Sequence, residues 1–329
     1  MRAQQKHLFY AELAKLLAAG FGIRQAAAVM LAGGLPRAQA GWLRAMEQGL
    51  ESGRSISEAL GGDATAVSEL ERSMLGAGER GGRLDAALQH LADYFGMLAT
   101  VRAEALKRLV YPFFMVHVGV FVVVLPQPLL GADAAAGSLG GRMLLALLVV
   151  YAGGLGLLWL GRALLNAARR HARLDHMLNR IPVLRSARNN LAMARFTKVY
   201  HMGILAGLSM VETAETAARA AHSAALSEAG HALAQAASAG NELGPVLLAL
   251  PAFPKAFARS YATAEQAGTL DKDLERWAAV FQADAARAAA TLASVLTTLI
   301  STAILLLVAW GVWNFYSGYF NSLQRLGEQ

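Results

Sequence analysis

The sequence contains no cysteine, which excludes disulfides, thiol nucleophiles and cysteine-bound metals. It also lacks the GxxxxGK[ST] loop that cradles nucleotide phosphates, so the chain has no P-loop of its own. The HExxH and GxSxG patterns of metallopeptidases and serine hydrolases are absent as well. We therefore predict that the protein is not an enzyme and has no catalytic residue, cofactor or metal ligand set.

Charged residues are scarce at 16%, whereas hydrophobic residues reach 55% of the 329 residues and the mean hydropathy is +0.37. Much of this excess lies in three apolar runs, at 109–130, 143–160 and 291–313. A membrane-spanning helix needs about 20 apolar residues. The sequence therefore predicts an all-α membrane protein with three transmembrane helices.

Lysine and arginine mark the cytoplasmic flanks of spans. Lys107 and Arg108 precede the first run, and a basic flank follows the second, formed by Arg162, Arg169, Arg170 and Arg173. The loop between these two runs holds a single acid, Asp133. A nucleic-acid surface is the alternative for this basic cluster, but the cluster begins where an apolar run ends, which favours a membrane flank.

These flanks give a complete predicted topology with a cytoplasmic N-terminus. The cytoplasmic parts are 1–107 (copy 1) and 162–290 (copy 2), the transmembrane helices are 108–130, 143–161 and 291–316, and the extracytoplasmic parts are a short loop at 131–142 and a tail at 317–329.

Copies 1 and 2 resemble each other, first at an offset of 187 residues and later at 186. At the second offset, Leu84, Leu88, Leu91 and Phe95 fall on Leu270, Leu274, Trp277 and Phe281. Their steps of four, three and four follow one face of a helix. Each copy is also followed by an apolar run, so the sequence predicts an internal repeat of two six-helix bundles.

Local signals place helix starts inside both copies. Ser55 with Glu58, and Ser209 with Glu212, fit capping boxes. No strong breaker separates the last helix of either copy from the span that follows, apart from Pro112. We expect continuous helices over 84–130 and 270–313, and our hypothesis is that they couple movement of the copies to the membrane.

A turn before that last helix carries the main candidate residues, Glu79 and Gly82 in copy 1 and Glu265 and Gly268 in copy 2. Residues 76–81 match GxGxxG literally, but a dinucleotide site needs a preceding strand, and the residues here read as helix. We predict that the glycines permit a sharp turn. The two glutamates would clamp that turn or face a partner, with a bound cation as a further alternative.

Two features of the spans remain. The apolar run at 109–130 has no formally charged residue and contains one histidine, His117, which we interpret as a neutral side chain packed against another helix rather than a functional site. The third span carries Ser294, Thr297, Thr298, Ser301 and Thr302, spaced by three and four residues. Small polar residues on one face favour close helix packing over a conduction path, because no charged group accompanies them.

Several short motifs follow one another along the chain: Leu17 to Gly20 with Leu205-Ala206-Gly207, Gly78-Glu79 with Gly82-Arg83-Leu84, Tyr111-Pro112 where the first span begins, Ile181-Pro182, and Phe253-Pro254. This ordered set resembles the inner-membrane platform protein family of type II secretion systems and type IV pili. Copy 1 departs from the pattern, because it has no Phe-Pro pair near Thr65.

The resemblance implies a scaffold in the bacterial inner membrane that couples a separate hexameric ATPase to the assembly of pilin or pseudopilin fibres. Its expected partners are that ATPase, pilins or pseudopilins, other inner-membrane assembly proteins, membrane lipids and further copies of the chain, with no nucleic acid. Secretion and pilus assembly both remain open, and a permease subunit of a transporter is the alternative function.

Overall fold

The computed structural model describes residues 1–61, 67–108, 110–124 and 182–327, with stretches of one to three residues between 141 and 163. Every regular element within these ranges is an α-helix, which confirms the predicted helical class. Most of the loop at 131–142 and most of the second predicted span lie outside the described residues, as do Asp133 and the flank of Arg162, Arg169, Arg170 and Arg173.

The helices are numbered in chain order. Those before the second predicted span are α1 (Ala3–Ala18), α2 (Ile23–Ala32), α3 (Arg37–Glu51), α4 (Ile56–Ala59), α5 (Glu69–Arg80), α6 (Leu84–Lys107) and α7 (Val110–Val124). Those after it are α8 (Pro182–Leu205), α9 (Met210–Ala221), α10 (Ala224–Ser238), α11 (Leu243–Ala249), α12 (Lys255–Ala267) and α13 (Leu270–Gly327).

Side-chain caps explain why several helices begin where they do. Ser55 and Glu58 form the predicted capping box at α4, and the Ser209 hydroxyl accepts a hydrogen bond from the backbone N–H of Glu212 at α9. These bonds satisfy donors that a helix start leaves free. Proline lies at or just inside three other helix starts, at Pro36, Pro245 and Pro254.

The backbone repeats as well as the sequence. Three pairs of glycines in the same register have positive φ: Gly20 and Gly207 (90° and 73°), Gly53 and Gly240 (75° and 73°), and Gly82 and Gly268 (63° and 67°). Left-handed φ is costly for residues with a Cβ. The two copies therefore turn the chain at corresponding points by the same means.

The chain divides into two compact units, one formed by residues 1–103 and 186–288 and the other by residues 104–185 and 289–329. The first unit contains most of both copies. In copy 1 its buried aromatic residues include Phe9, Tyr10 and Trp42, whose rings meet edge to face. In copy 2, Phe257 is fully buried among Phe253, Tyr261, Trp277 and Phe281.

The expected continuous helix over 84–130 is wrong, because α6 ends at Lys107 and Arg108 lies in a turn. The cause is Pro112, four residues later, which has no N–H to donate to the carbonyl of Arg108. The Thr297 hydroxyl lies 3.1 Å from this freed carbonyl oxygen and can donate to it. The corresponding prediction for copy 2 is confirmed, because α13 runs without a break from Leu270 to Gly327.

One described helix is long and apolar enough to span a membrane, at Leu270–Asn314, while Phe113–Val122 in α7 is a shorter apolar stretch. Large apolar side chains on α13 are exposed, including Leu305 (68%) and Trp313 (74%). A core helix of a soluble protein would bury such residues. This part of α13 therefore has the surface of a helix that lies in an apolar environment.

Candidate functional site

Glu79, near the end of α5, caps the start of α4 through its side chain. Both carboxylate oxygens accept from the backbone N–H of Ile56, at 3.0 and 2.9 Å. Ile56 is the first residue of α4, and the first N–H groups of a helix have no partner within the helix. A carboxylate at this end also interacts favourably with the helix dipole.

Glu265 does the same in copy 2. Its carboxylate accepts from the N–H groups of Leu243 (2.9 Å) and Gly244 (2.6 Å), the first two residues of α11. The prediction placed Glu79 and Glu265 on the turn that follows them. The structure instead directs both carboxylates to a helix start more than 20 residues earlier in the chain.

Close packing brings each glutamate within reach of that helix. In copy 2, a Cβ added at Gly244 would lie only 2.6 Å from the Cβ of Ala262. In copy 1 the corresponding pair is Ser57 and Gly76, and here a Cβ added at Gly76 would lie 3.2 Å from the Ser57 Cβ. The glycine lies on the earlier helix of the pair in copy 2 and on the later helix in copy 1, so each pair contains one glycine.

The literal GxGxxG match belongs to this packing. Gly76 and Gly78 lie inside α5, and a Cβ added at Gly78 would lie 2.5 Å from the Ala87 Cβ of α6. A dinucleotide fingerprint instead forms the turn between a strand and a helix. Gly82 and Gly268 form the turns into α6 and α13 with positive φ.

The geometry around Glu79 and Glu265 does not favour the alternative of a bound cation. The two carboxylates are already engaged by backbone N–H donors, which compete with a cation for the same lone pairs. Among the described residues, no group of three or more acidic or histidine side chains is arranged to hold a metal.

A second cluster surrounds Glu71, which is fully buried in α5. Lys6 Nζ lies 2.6 Å from one carboxylate oxygen, and Ser68 donates to the same oxygen through its N–H (2.8 Å) and its hydroxyl (2.7 Å). The Tyr10 hydroxyl donates to the other oxygen. Burial and then the Glu71 carboxylate raise the pKa of Tyr10 well above its ordinary value, so the phenol keeps its proton.

Sequence reasoning missed this cluster, although a local signal was present. Ser68 and Glu71 fit the same Ser-x-x-Glu capping pattern as Ser55 and Glu58, and they do form a capping box at α5. Nothing local indicates that Lys6 and Tyr10, more than 60 residues earlier, share the same carboxylate.

The two copies meet where α5 approaches α9, and we call this contact the seam. Arg219 Nε lies 3.2 Å from a carboxylate oxygen of Glu69, with both side chains about half exposed. An exposed pair of this kind contributes at most about 1 kcal/mol. A cavity of about 280 Å³ lies beside the pair, lined by residues of both copies that include Lys6, Tyr94 and Thr216.

Two histidines belong to different copies, His90 on α6 in copy 1 and His201 on α8 in copy 2. Burial lowers the pKa of each ring, and the nearby charge of Lys198 lowers both pKa values further. Both rings are therefore neutral near pH 7, since an unperturbed histidine titrates at about 6.5.

Contacts in the second compact unit explain the polar face of α13. Arg108 donates from its guanidinium to the Ser294 hydroxyl (2.8 Å), and the Thr297 hydroxyl reaches the Arg108 carbonyl. A Cβ added at Gly119 of α7 would lie 2.6 Å from the Ile304 side chain. Gly119, a small residue, thus permits close approach of α7 to α13, and the packing role of the serine and threonine residues on this face stays a prediction.

The remaining predicted residues lie at the start of α7. Tyr111 is 56% exposed, and Pro112 acts through the backbone bond that it removes. His117 contacts a residue outside α7, as predicted: its Nε2 lies 2.7 Å from the hydroxyl of Tyr151, which is itself helical.

Comparison with known proteins now adds to this geometry. The sequence model of the family described as type II secretion system (T2SS), protein F, matches residues 9–125 and again 196–318. The two matches confirm the internal repeat.

Individual proteins are similar over most of the chain. The type 4 fimbrial assembly protein PilC of Pseudomonas putida is 28% identical over 95% of this chain and 82% of its own length. The type IV pilus assembly protein PilC of Thermus thermophilus is 26% identical over 98% and 83%. The type II secretion system protein F of Aeromonas hydrophila is 26% identical, and there the chain spans only 62% of the relative.

Proposed function

Because the chain belongs to the type II secretion system protein F family, we propose that it is an inner-membrane platform that couples a separate cytoplasmic hexameric ATPase to the assembly of pilin or pseudopilin fibres. The observation that carries this proposal is the repeat. Two copies of one family module lie in one compact unit, and α13 continues from the second copy into an apolar stretch. Such a chain offers two related surfaces to partners and continues from the second copy into an apolar helix.

The proposed platform has the topology predicted above, with copies 1 and 2 as six-helix bundles in the cytoplasm and three spans at 108–130, 143–161 and 291–316. The basic flanks support this orientation. In right-side-out membrane vesicles, a single cysteine from Asp133→Cys should react with an impermeant maleimide, and one from Arg44→Cys should not. The reverse pattern would contradict the orientation, and the natural absence of cysteine leaves no background.

We propose that coupling runs through α13 rather than through α6. α13 is unbroken over 58 residues, so it is the element suited to pass movement of copy 2 on to the apolar stretch. The break at Arg108 gives the other copy a joint at the corresponding place. The clamps of Glu79 and Glu265 would keep each copy rigid enough to pass such movement on.

The ATPase partnership is tested by purifying the tagged full-length chain from its native host in mild detergent and identifying the proteins that accompany it by mass spectrometry. We expect a secretion-type ATPase together with pilin-like subunits, whose identities would also separate secretion from pilus assembly. Recovery of a solute-binding protein or a transporter ATPase in their place would contradict the platform and support a permease.

A further inference from the structure

A groove of about 580 Å³ lies on the surface of copy 2, between α12 and the first turns of α13. Its floor is made of small side chains, among them Thr263, Ala264 and Ala267. Its rim carries three cations, Arg259 from α12 and Lys272 and Arg276 from α13, all exposed. We call it the basic groove.

The charges of the basic groove are not balanced within it. Asp273 is its single acid, and one oxygen of that carboxylate accepts from Arg276 (2.6 Å) and from the Ser260 hydroxyl (2.7 Å). Among the described residues, Arg259 and Lys272 have no ion-pair partner. The groove therefore keeps an excess of positive charge.

The fold of the repeat does not require these cations. Lys272 and Arg276 are four residues apart on one helix face, where like charges destabilise a helix by a few tenths of a kcal/mol. At the same register in copy 1 stand Ser73, Ala86 and His90. Copy 1 thus builds the same pair of helices without the three cations.

We propose that the basic groove docks an acidic segment, rich in Asp and Glu, of a cytoplasmic protein. Arginine pairs with carboxylates through two parallel hydrogen bonds, and the small floor leaves room for a helix or an extended segment between the rims. The proposal rests on the proposed function in one respect, which is that the protein carrying this segment is the ATPase.

Two other anionic partners fit the groove less well. Thr291, where the apolar run of α13 begins, lies 15 residues beyond Arg276, about 22 Å along the helix axis. Lipid headgroups are screened over about 8 Å at physiological ionic strength, so they act weakly at that distance. Nucleic acid is bound by extended basic surfaces that contact many phosphates, and three cations in one groove are few.

The test uses the purified full-length chain in detergent and its charge-reversed variant R259E/K272E/R276E. A matched control, R37E/R44E/R102E, makes the same change in net charge at exposed positions of copy 1. Binding of the purified ATPase and of a fluorescent Glu-rich peptide is measured by anisotropy at several salt concentrations. We expect the groove variant to lose about tenfold in affinity for both, as three weakened pairs would give, and the control to keep it.

Each other result has a definite meaning. Equal losses of affinity in the groove variant and in the control variant would show an effect of net charge alone and would overturn the basic groove as a binding site. Unchanged binding of the peptide to the groove variant would overturn it as well. Peptide binding lost with ATPase binding kept would place the ATPase elsewhere and overturn the docking proposal but not the platform. If the unmodified chain does not bind the ATPase, the proposed function fails, and the peptide alone decides the groove.

Folding of the variant needs its own check, because Arg276 also contacts Ser260 and lies over the Trp277 ring. The double variant R259E/K272E leaves Arg276 in place and should lose part of the affinity while keeping the far-ultraviolet circular dichroism of the unmodified chain. A double variant that binds as well as the unmodified chain would contradict the proposal.

Discussion

Replacing Glu71 by leucine is expected to destabilise copy 1 by about 3 to 5 kcal/mol, the cost of breaking a buried ion pair from one side. The substitution removes the only carboxylate that Lys6 contacts among the described residues, and the Lys6 side chain is just 12% exposed. It also leaves the Tyr10 hydroxyl and the N–H of Ser68 without their shared acceptor. The packing of Lys6 over the Phe95 ring does not replace the lost charge.

The measurement uses the absence of cysteine. A single thiol introduced by Met46→Cys, at a fully buried position of copy 1, reacts only when copy 1 opens, so its labelling rate in detergent gives the free energy of opening. Glu69→Leu is the matched control, two residues away on the same helix, where an exposed pair is lost and at most about 1 kcal/mol is expected. Equal effects of the two substitutions would show that the Glu71 cluster does not stabilise copy 1.

Features that depend on neighbouring residues could be predicted from the sequence. The capping box of Ser55 and the turns at Gly82 and Gly268 are of this kind, because the bonds and backbone angles involve residues within one turn of each other. The repeat could be predicted as well, since one helix face recurs in a fixed register.

Features that depend on distant pairing could not be predicted. Glu79 and Glu265 were recognised as candidates, but the helix start that each one caps lies more than 20 residues away, and only packing at Gly76 and Gly244 brings the groups together. The seam could not be predicted from local sequence either, because Glu69 and Arg219 belong to different copies.

The expected continuous helix over 84–130 shows a different failure. Pro112 was recognised as a place where the helix could kink, and its position inside the apolar run led to the expectation of one continuous helix. The consequence of a proline falls four residues before it, at Arg108, where the helix in fact stops. The hydroxyl that then reaches the Arg108 carbonyl comes from Thr297 on a remote helix, which the sequence pattern of α7 cannot reveal.

The position of Glu71 is occupied in copy 2 by Phe257, at the offset of 186 residues, so the repeat stabilises one position in two different ways. The residues of copy 2 that correspond to Lys6 and Tyr10 are Met193 and Thr197, neither of which is charged. Phe257 is fully buried, with ring centroids of Trp277 and Phe281 at 5.7 and 5.6 Å.

Replacing Phe257 by glutamate should therefore unfold copy 2, because it loses a buried aromatic ring, worth about 3 to 5 kcal/mol, and buries a carboxylate that has no cation. A thiol from Leu233→Cys, fully buried in copy 2, should then be labelled nearly as fast as in the urea-unfolded chain. Phe257→Leu, the control of similar polarity, should cost about 1 to 2 kcal/mol. Adding Met193→Lys to Phe257→Glu supplies a lysine at the position of Lys6 in copy 1 and should slow the labelling. Adding Met193→Lys to Phe257→Leu should not slow the labelling. If the lysine has no effect, or if glutamate is tolerated as well as leucine, then the charge of Glu71 is not specifically matched to Lys6, and the contrast between the two copies has another cause.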